Sequence, residues 1–225
     1  MTSELPARQI LAVVLGGVLL CSGTQSHAVD SGGDQWQGRY QLIVFDFGAR
    51  TQEVPGGPPE VYQTCLQTDF GYDVYQNHLG VVRYVLTRRT GARKDSLGDF
   101  ASKLVDHGGG TVTLFLSPST AYRGRLNQFP ITTGRLESRR LLGFDCKGVE
   151  IRYEDSNHFK HVRQTWTAAQ TTFKESLLEI GYIYDRDRSL RELTVGVITQ
   201  FGKVQSIEPS LFEIPTGVSV SDESR

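Results

Sequence analysis

Charge of one sign is what the sequence most plainly lacks: 24 Lys and Arg stand against 25 Asp and Glu, a formal net of -1. A balanced chain has no electrostatic footprint for nucleic acid and no general attraction to anionic membranes. Catalytic signatures are missing as well. There is no Gly-x-Ser-x-Gly elbow, no phosphate-binding loop and no zinc-spaced cluster of Cys and His. Gly108-Gly109-Gly110 is not followed by Lys-Ser/Thr and reads as a flexible turn. Asp185 and Asp187 alternate with Arg186 and Arg188 as a self-neutralising turn, and Glu175 and Glu179 are expected on the outer face of a strand. No carboxylate pair suited to acid–base chemistry emerges. His158 and His161 would share a face on a helix, but a loop and strand here turn them to solvent, so no metal site is expected. No catalytic residue and no cofactor are expected, and an enzyme is the least favoured class.

Long apolar runs are also scarce. The longest, Ile10–Cys21, is too short for a membrane-spanning helix, which needs about 20 residues. With Arg8 before it and Ser26-His27-Ala28 after it, the run fits a secretory signal peptide over residues 1–28, cleaved after Ala28. The mature chain is then expected to be periplasmic or secreted, with no transmembrane span. An uncleaved anchor is a weaker alternative. A lipid anchor on Cys21 is disfavoured because bulky Leu20 precedes it.

Cysteine is rare: three in 225 residues. Signal removal leaves Cys65 and Cys146, an even number in an exported chain, so a Cys65–Cys146 disulfide is expected. It would close a loop of about 80 residues and contribute roughly 4 kcal/mol. Two unrelated buried thiols are the competing reading.

What the sequence does have is alternation. Val112, Leu114 and Leu116 interleave with polar residues, as do Val149, Ile151 and Tyr153, and Leu178, Ile180, Tyr182 and Tyr184 form another row. Period two marks half-buried strands. Further strands are expected over 39–47, 60–67, 80–87, 121–127, 135–142, 161–167 and 193–200, separated by Gly, Pro, Asn and Asp turns. Such spacing predicts antiparallel hairpins rather than parallel βαβ units. One short helix is expected over 96–107, capped by Ser96. Over 189–201 the β-branched run and Gly196 favour strand over helix. With 38% apolar residues the chain can build a core, and no linker divides it. A single β-rich domain is expected over residues 29–217, with a loose tail over 218–225.

Aromatics lie in or beside several strands: Trp36, Trp166, Phe173, Tyr182, Tyr184 and Phe212. A curved antiparallel sheet with large aromatics on its hollow side can enclose a cavity, and an ordinary packed core is the alternative. The candidate cavity residues are Trp166, Phe173, Leu178, Ile180, Tyr182 and Tyr184.

Two stretches, "RRLLGFDCKGVEIRY" with Trp166 some twenty residues on, and the terminal "SIEPSLFEIPTG", resemble bacterial exported families of unknown function. Those families are similar to the lipoprotein-carrier (LolA/LolB-like) superfamily. The resemblance covers residues 135–217 and implies a strongly curved antiparallel sheet, an incomplete barrel closed by helices over an apolar cavity. It carries no catalytic residue. The fold expected is therefore mainly β, an incomplete barrel with one or two short helices. In that frame Gly143 and Gly148 flank a turn that presents Cys146 to Cys65, and Pro215 ends the last strand. The function expected is a cell-envelope binding or carrier protein for a lipid or other apolar small molecule. The alternative is an interaction or assembly module with a self-filled core that meets an envelope protein.

Overall fold

The structure, a computed structural model, describes residues 34–52, 60–91, 101–126 and 130–222. The proposed signal peptide and Cys21 lie outside the described residues. Twelve strands follow one another: β1 (Gln35–Gln52), β2 (Glu60–Gln76), β3 (Val81–Gly91), β4 (Ser102–Asp106), β5 (Thr111–Ser117), β6 (Thr120–Arg125), β7 (Thr132–Leu141), β8 (Phe144–Glu154), β9 (Lys160–Ala168), β10 (Leu178–Tyr184), β11 (Leu190–Val204) and β12 (Ser219–Asp222). They form one open, curved sheet in the order β12-β6-β5-β4-β3-β2-β1-β11-β10-β9-β8-β7. The expected class, a mainly β incomplete barrel, is the one found. The only helical element among the described residues is one 3-10 turn, Pro209–Phe212.

Turn chemistry sets the hairpins. Leu142 and Gly143 both have positive φ, 50° and 83°, which matches the right-handed twist of β7 and β8. Asp155 and Asp185 each accept two backbone N–H groups across their turns through Oδ1. Asn77 does the same for Leu79 and Val81.

Register decides which residues share a face, because residues directly opposite in an antiparallel pair point the same way. On one face, Trp36, Gly38, Tyr40, Leu42 and Val44 of β1 stand opposite Gln76, Val74, Tyr72, Phe70 and Thr68 of β2. Val82, Tyr84 and Leu86 of β3 continue that face, as do Val105 and Lys103 of β4. On the other face, Phe45 and Ile43 oppose Leu193 and Val195 of β11. Ile180 and Tyr182 of β10 join them there, followed by Trp166 and Ala168 of β9 and Cys146 of β8. The sheet therefore buries one face over β1–β4 and the opposite face over β8–β11. β11 is buried on both: Val195 is 2% exposed and Ile198 1%. Trp36, Phe173, Phe144 and Phe201 meet where β9 and β10 stop, with ring centroids 4.6–6.4 Å apart, and join the two sides into one core.

Four expectations are corrected. Residues 102–106, inside the expected 96–107 helix, form β4, where Ser102 and Val105 are buried and Ser102 Oγ donates to the Tyr84 carbonyl; residues 92–100 lie outside the described residues. Ser219–Asp222, expected as loose tail, pairs in parallel with β6 as β12. Pro215 does not end a strand: β11 stops at Val204, and "SLFEIPTG" forms the 3-10 turn and a strap onward to β12. Cys65 and Cys146 are free thiols. They stand on β2 and β8, which do not pair with each other: β1, β11, β10 and β9 lie between them in the sheet. Cys65 is exposed beside Phe47, while Cys146 is buried in a strand rather than raised on a turn.

Candidate functional site

The expected cavity residues come together, but as packing. Trp166 (3% exposed), Phe173 (4%), Leu178 (1%) and Ile180 (2%) belong to the core. The Trp166 indole N–H donates to the Glu137 carbonyl at 3.0 Å, and the Arg139 guanidinium covers its ring at 4.3 Å. Gly148 makes room for that indole: a Cβ there would stand 2.7 Å from its nitrogen. Phe173 is not in a strand. It sits in the β9–β10 loop, which the Gln76 side chain ties down by donating to the Thr172 carbonyl and accepting from the Lys174 N–H. Tyr182 and Tyr184 are half-buried and stacked on each other at 6.4 Å. Tyr184 borders a surface cleft of about 510 Å³ with Arg152, Lys160 and Arg188.

A second constellation, on the face that carries Tyr40, was not read from the sequence. Curvature brings the two halves of the sheet together there. His107, in the turn after β4, and Glu175, in the β9–β10 loop, meet at 2.9 Å although five strand steps separate β4 from β10. Around them stand Tyr84 and Lys103 from opposed positions of β3 and β4, Tyr40 of β1, Glu179 of β10 and Arg163 of β9. Lys103 Nζ lies 4.1 Å over the Tyr84 ring, Tyr40 meets Tyr84 edge-on at 5.5 Å, and Arg163 Nη2 contacts Glu179 Oε2 at 2.6 Å. Gly196, between Tyr40 and Glu179 on this face, is the gap the Tyr40 phenol occupies; a Cβ at Gly196 would collide with the hydroxyl.

The electrostatics follow from burial and from these partners. Burial works against a charged Glu175, whose side chain is 13% exposed. Hydrogen bonds from His107 and Tyr84 and the charge of Lys103 outweigh it and hold the carboxyl down at about 2. Burial pushes Lys103 below its ordinary value against the pull of Glu175 and Glu179. Burial, then Glu179, pushes Tyr40 well up, and burial, then Glu175, does the same to Tyr84. Arg163 is raised, chiefly by the charge of Glu179. The cluster thus sets Glu175 and Glu179 against Lys103 and Arg163, with the phenols of Tyr40 and Tyr84 beside them.

Glu175 and Glu179 were expected on an outer strand face; instead Glu175 is a covered loop residue and Glu179 faces the same cluster. One sequence signal could have found part of this site. Tyr40 and Leu42, Tyr72 and Val74, and Tyr84 and Leu86 repeat an aromatic-x-aliphatic pattern in the first three strands. The loop residue Glu175 leaves no such trace. Apolar side chains continue the face from the polar cluster: half-buried Leu42 and Leu86 stand beside buried Phe70.

His158 and His161 do not converge. His158 Nδ1 meets Glu154 at 2.8 Å; His161 Nε2 meets Asp155 at 3.0 Å, with its ring stacked on Tyr153. No group of three metal-ligating side chains occurs among the described residues, and none of their helices is long and apolar enough to cross a membrane.

No protein-family model matches the chain, and no curated protein matches it. Solved structures to which the chain is weakly similar include two that fall below the usual level of fold similarity. One is an uncharacterized conserved protein from Thermus thermophilus: 10% identity, 85% of this chain and 91% of that chain covered, TM-score 0.41. The other is described as an outer membrane lipoprotein-sorting protein domain, from Vibrio parahaemolyticus: 11% identity, 81% and 91% covered, TM-score 0.23. At these scores neither bears on function.

Proposed function

We propose that the chain is a non-enzymatic binding or carrier protein of the cell envelope, exported by its N-terminal segment, which holds a lipid-like ligand against the hollow face of the sheet. One observation carries the reading. The half-buried Leu42 and Leu86 continue directly into the hydrogen-bonding cluster of Tyr40, Tyr84 and Glu175, so a single face offers an apolar bed with a polar end. The ligand surface thereby shifts from the expected Trp166, Leu178 and Ile180, which are packed, to the face on the other side of the sheet. The test is native mass spectrometry of the full chain purified from an envelope fraction, with thermal melts against monoacylglycerols, fatty acids and phospholipids. A co-purifying lipid mass and a raised melting temperature with at least one class are expected. A bare protein mass with no thermal shift from any class overturns the proposal.

The second reading, an assembly module with a self-filled core that meets an envelope protein, is favoured by the 1–4% exposure of Trp166, Phe173, Leu178 and Ile180. It predicts that the bare protein mass is accompanied by a co-purifying envelope protein.

A further inference from the structure

The polar cluster says what kind of ligand end it suits. A site that receives a fatty-acid carboxylate or a lipid phosphate normally offers cations without resident carboxylates. Here each cation already has one. Arg163 is bound to Glu179 at 2.6 Å, and Lys103 lies in the field of both Glu175 and Glu179. An anion brought to Arg163 would have to displace a formed ion pair, and at Lys103 it would meet the field of two carboxylates.

The groups left to greet a ligand are phenols. A phenol is already protonated at physiological pH and burial pushes Tyr40 further up, so it presents an O–H rather than a charge. Its position is fixed by the gap at Gly196 below and by the Tyr84 and Tyr72 rings beside it, at 5.5 and 6.1 Å. Tyr84 donates to Glu175 and so holds the neighbouring ring still. Next to them, half-buried Leu42 and Leu86 give apolar surface that an alkyl chain can cover.

We infer that the ligand end received at this cluster is an uncharged oxygen, the carbonyl or hydroxyl of a neutral lipid, with Tyr40 as its hydrogen-bond donor, and not a carboxylate or a phosphate. The inference rests on the carrier reading above and narrows it to a class of ligand. Tyr40 sets specificity by donating one hydrogen bond; no bond in the ligand is made or broken.

The test titrates the full chain with three probes that share one oleoyl chain: monoolein, oleate and oleoyl lysophosphatidylglycerol. The readouts are calorimetry and the quenching of intrinsic fluorescence. Monoolein is expected to bind at least tenfold more tightly than either anion. Tyr40→Phe is expected to weaken monoolein about fivefold, the worth of one hydrogen bond, and to leave the two anions unchanged. Circular dichroism and melting of Tyr40→Phe confirm that the variant is folded. Equal or tighter binding of oleate or of the lysophospholipid overturns the inference while the carrier reading stands. So does unchanged monoolein affinity in a folded Tyr40→Phe. If none of the three binds, both fall together.

Discussion

β1–β4 and β8–β11 belong to one hydrogen-bonded ladder, yet they bury opposite faces. In β1–β4 the buried row is Trp36, Val74, Tyr72, Phe70, Val82 and Tyr84, with Lys103 set among them. In β8–β11 it is Cys146, Trp166, Leu178, Ile180, Leu193 and Val195. The first row is rich in tyrosine and borders a charged cluster; the second is aliphatic around one tryptophan. The tyrosines Tyr72 and Tyr84 are as deeply buried as the aliphatic residues of the second row, so the difference lies in chemistry and not in depth. The changeover takes place at β1 and β11, the two long central strands, so these carry apolar side chains on both sides. Phe45 (7% exposed) and Val44 (5%) are sequence neighbours and both are buried.

Breaking the packed half should have the largest effect. Trp166→Ala removes a buried indole, its hydrogen bond to Glu137 and the cover it gives Arg139, and should cost about 3–5 kcal/mol. Because the aromatic knot at Phe201 joins the halves, chemical denaturation followed by far-UV circular dichroism and by tryptophan emission should still give coincident transitions. Separate transitions would mean that the two halves unfold independently.

Glu175 tests the bridge between the halves in a pH series. Its carboxyl is held at about 2 in the folded protein, below the unfolded value of about 4.3. Its contribution is therefore present above pH ~4.3 and disappears as the pH falls toward about 2, a loss of roughly 3 kcal/mol. Glu175→Gln should flatten that acid limb in urea melts, and an unchanged limb would remove Glu175 from the account.

Gly196→Ala should cost about 1–3 kcal/mol by driving a methyl into the Tyr40 phenol. It should disturb the tyrosine half far more than Trp166 emission.

Arg83 is a counter-example inside the first half. It is 9% exposed, over the Phe115 ring at 4.1 Å, with Nε and Nη1 lacking hydrogen-bond partners among the described residues. Arg83→Met should leave stability unchanged or raise it by about 1 kcal/mol, since replacing a buried guanidinium whose Nε and Nη1 have no partner among the described residues with an apolar side chain removes a desolvation cost. A drop of several kcal/mol would show that the guanidinium is satisfied in solution.

The smallest effect belongs to the thiols. Cys65→Ser should change stability by less than about 0.5 kcal/mol. Alkylation of the native protein should label exposed Cys65 and spare Cys146, whose thiol burial pushes up to about 11; mass spectrometry with and without reductant reads both outcomes.

Strands were legible because alternation survives wherever one side is wet: the row Leu178, Ile180, Tyr182, Tyr184 lies in β10 as read. β4 was hidden because Leu97, Phe100, Leu104 and Val105 also fit a helical spacing, and only Ser102 bonding to Tyr84 makes the strand plain. β12 was hidden because a parallel partner comes from far along the chain and leaves no local mark. The disulfide failed because counting thiols says nothing of the strands between them. Half of the candidate site failed for the reason β12 did: His107 and Glu175 are 68 positions apart and meet only through curvature.

The parallel pairing of Ser219–Asp222 with Thr120–Arg123 has a consequence for how the molecule comes into being. β6 leaves the ribosome well before Ser219–Asp222, the residues that close its outer seam. Until they arrive, the row of backbone donors and acceptors along β6 stays open to any other extended chain. Ser219–Asp222 thus act as a latch on β6, and a change that keeps this strand from pairing would leave the seam unsealed.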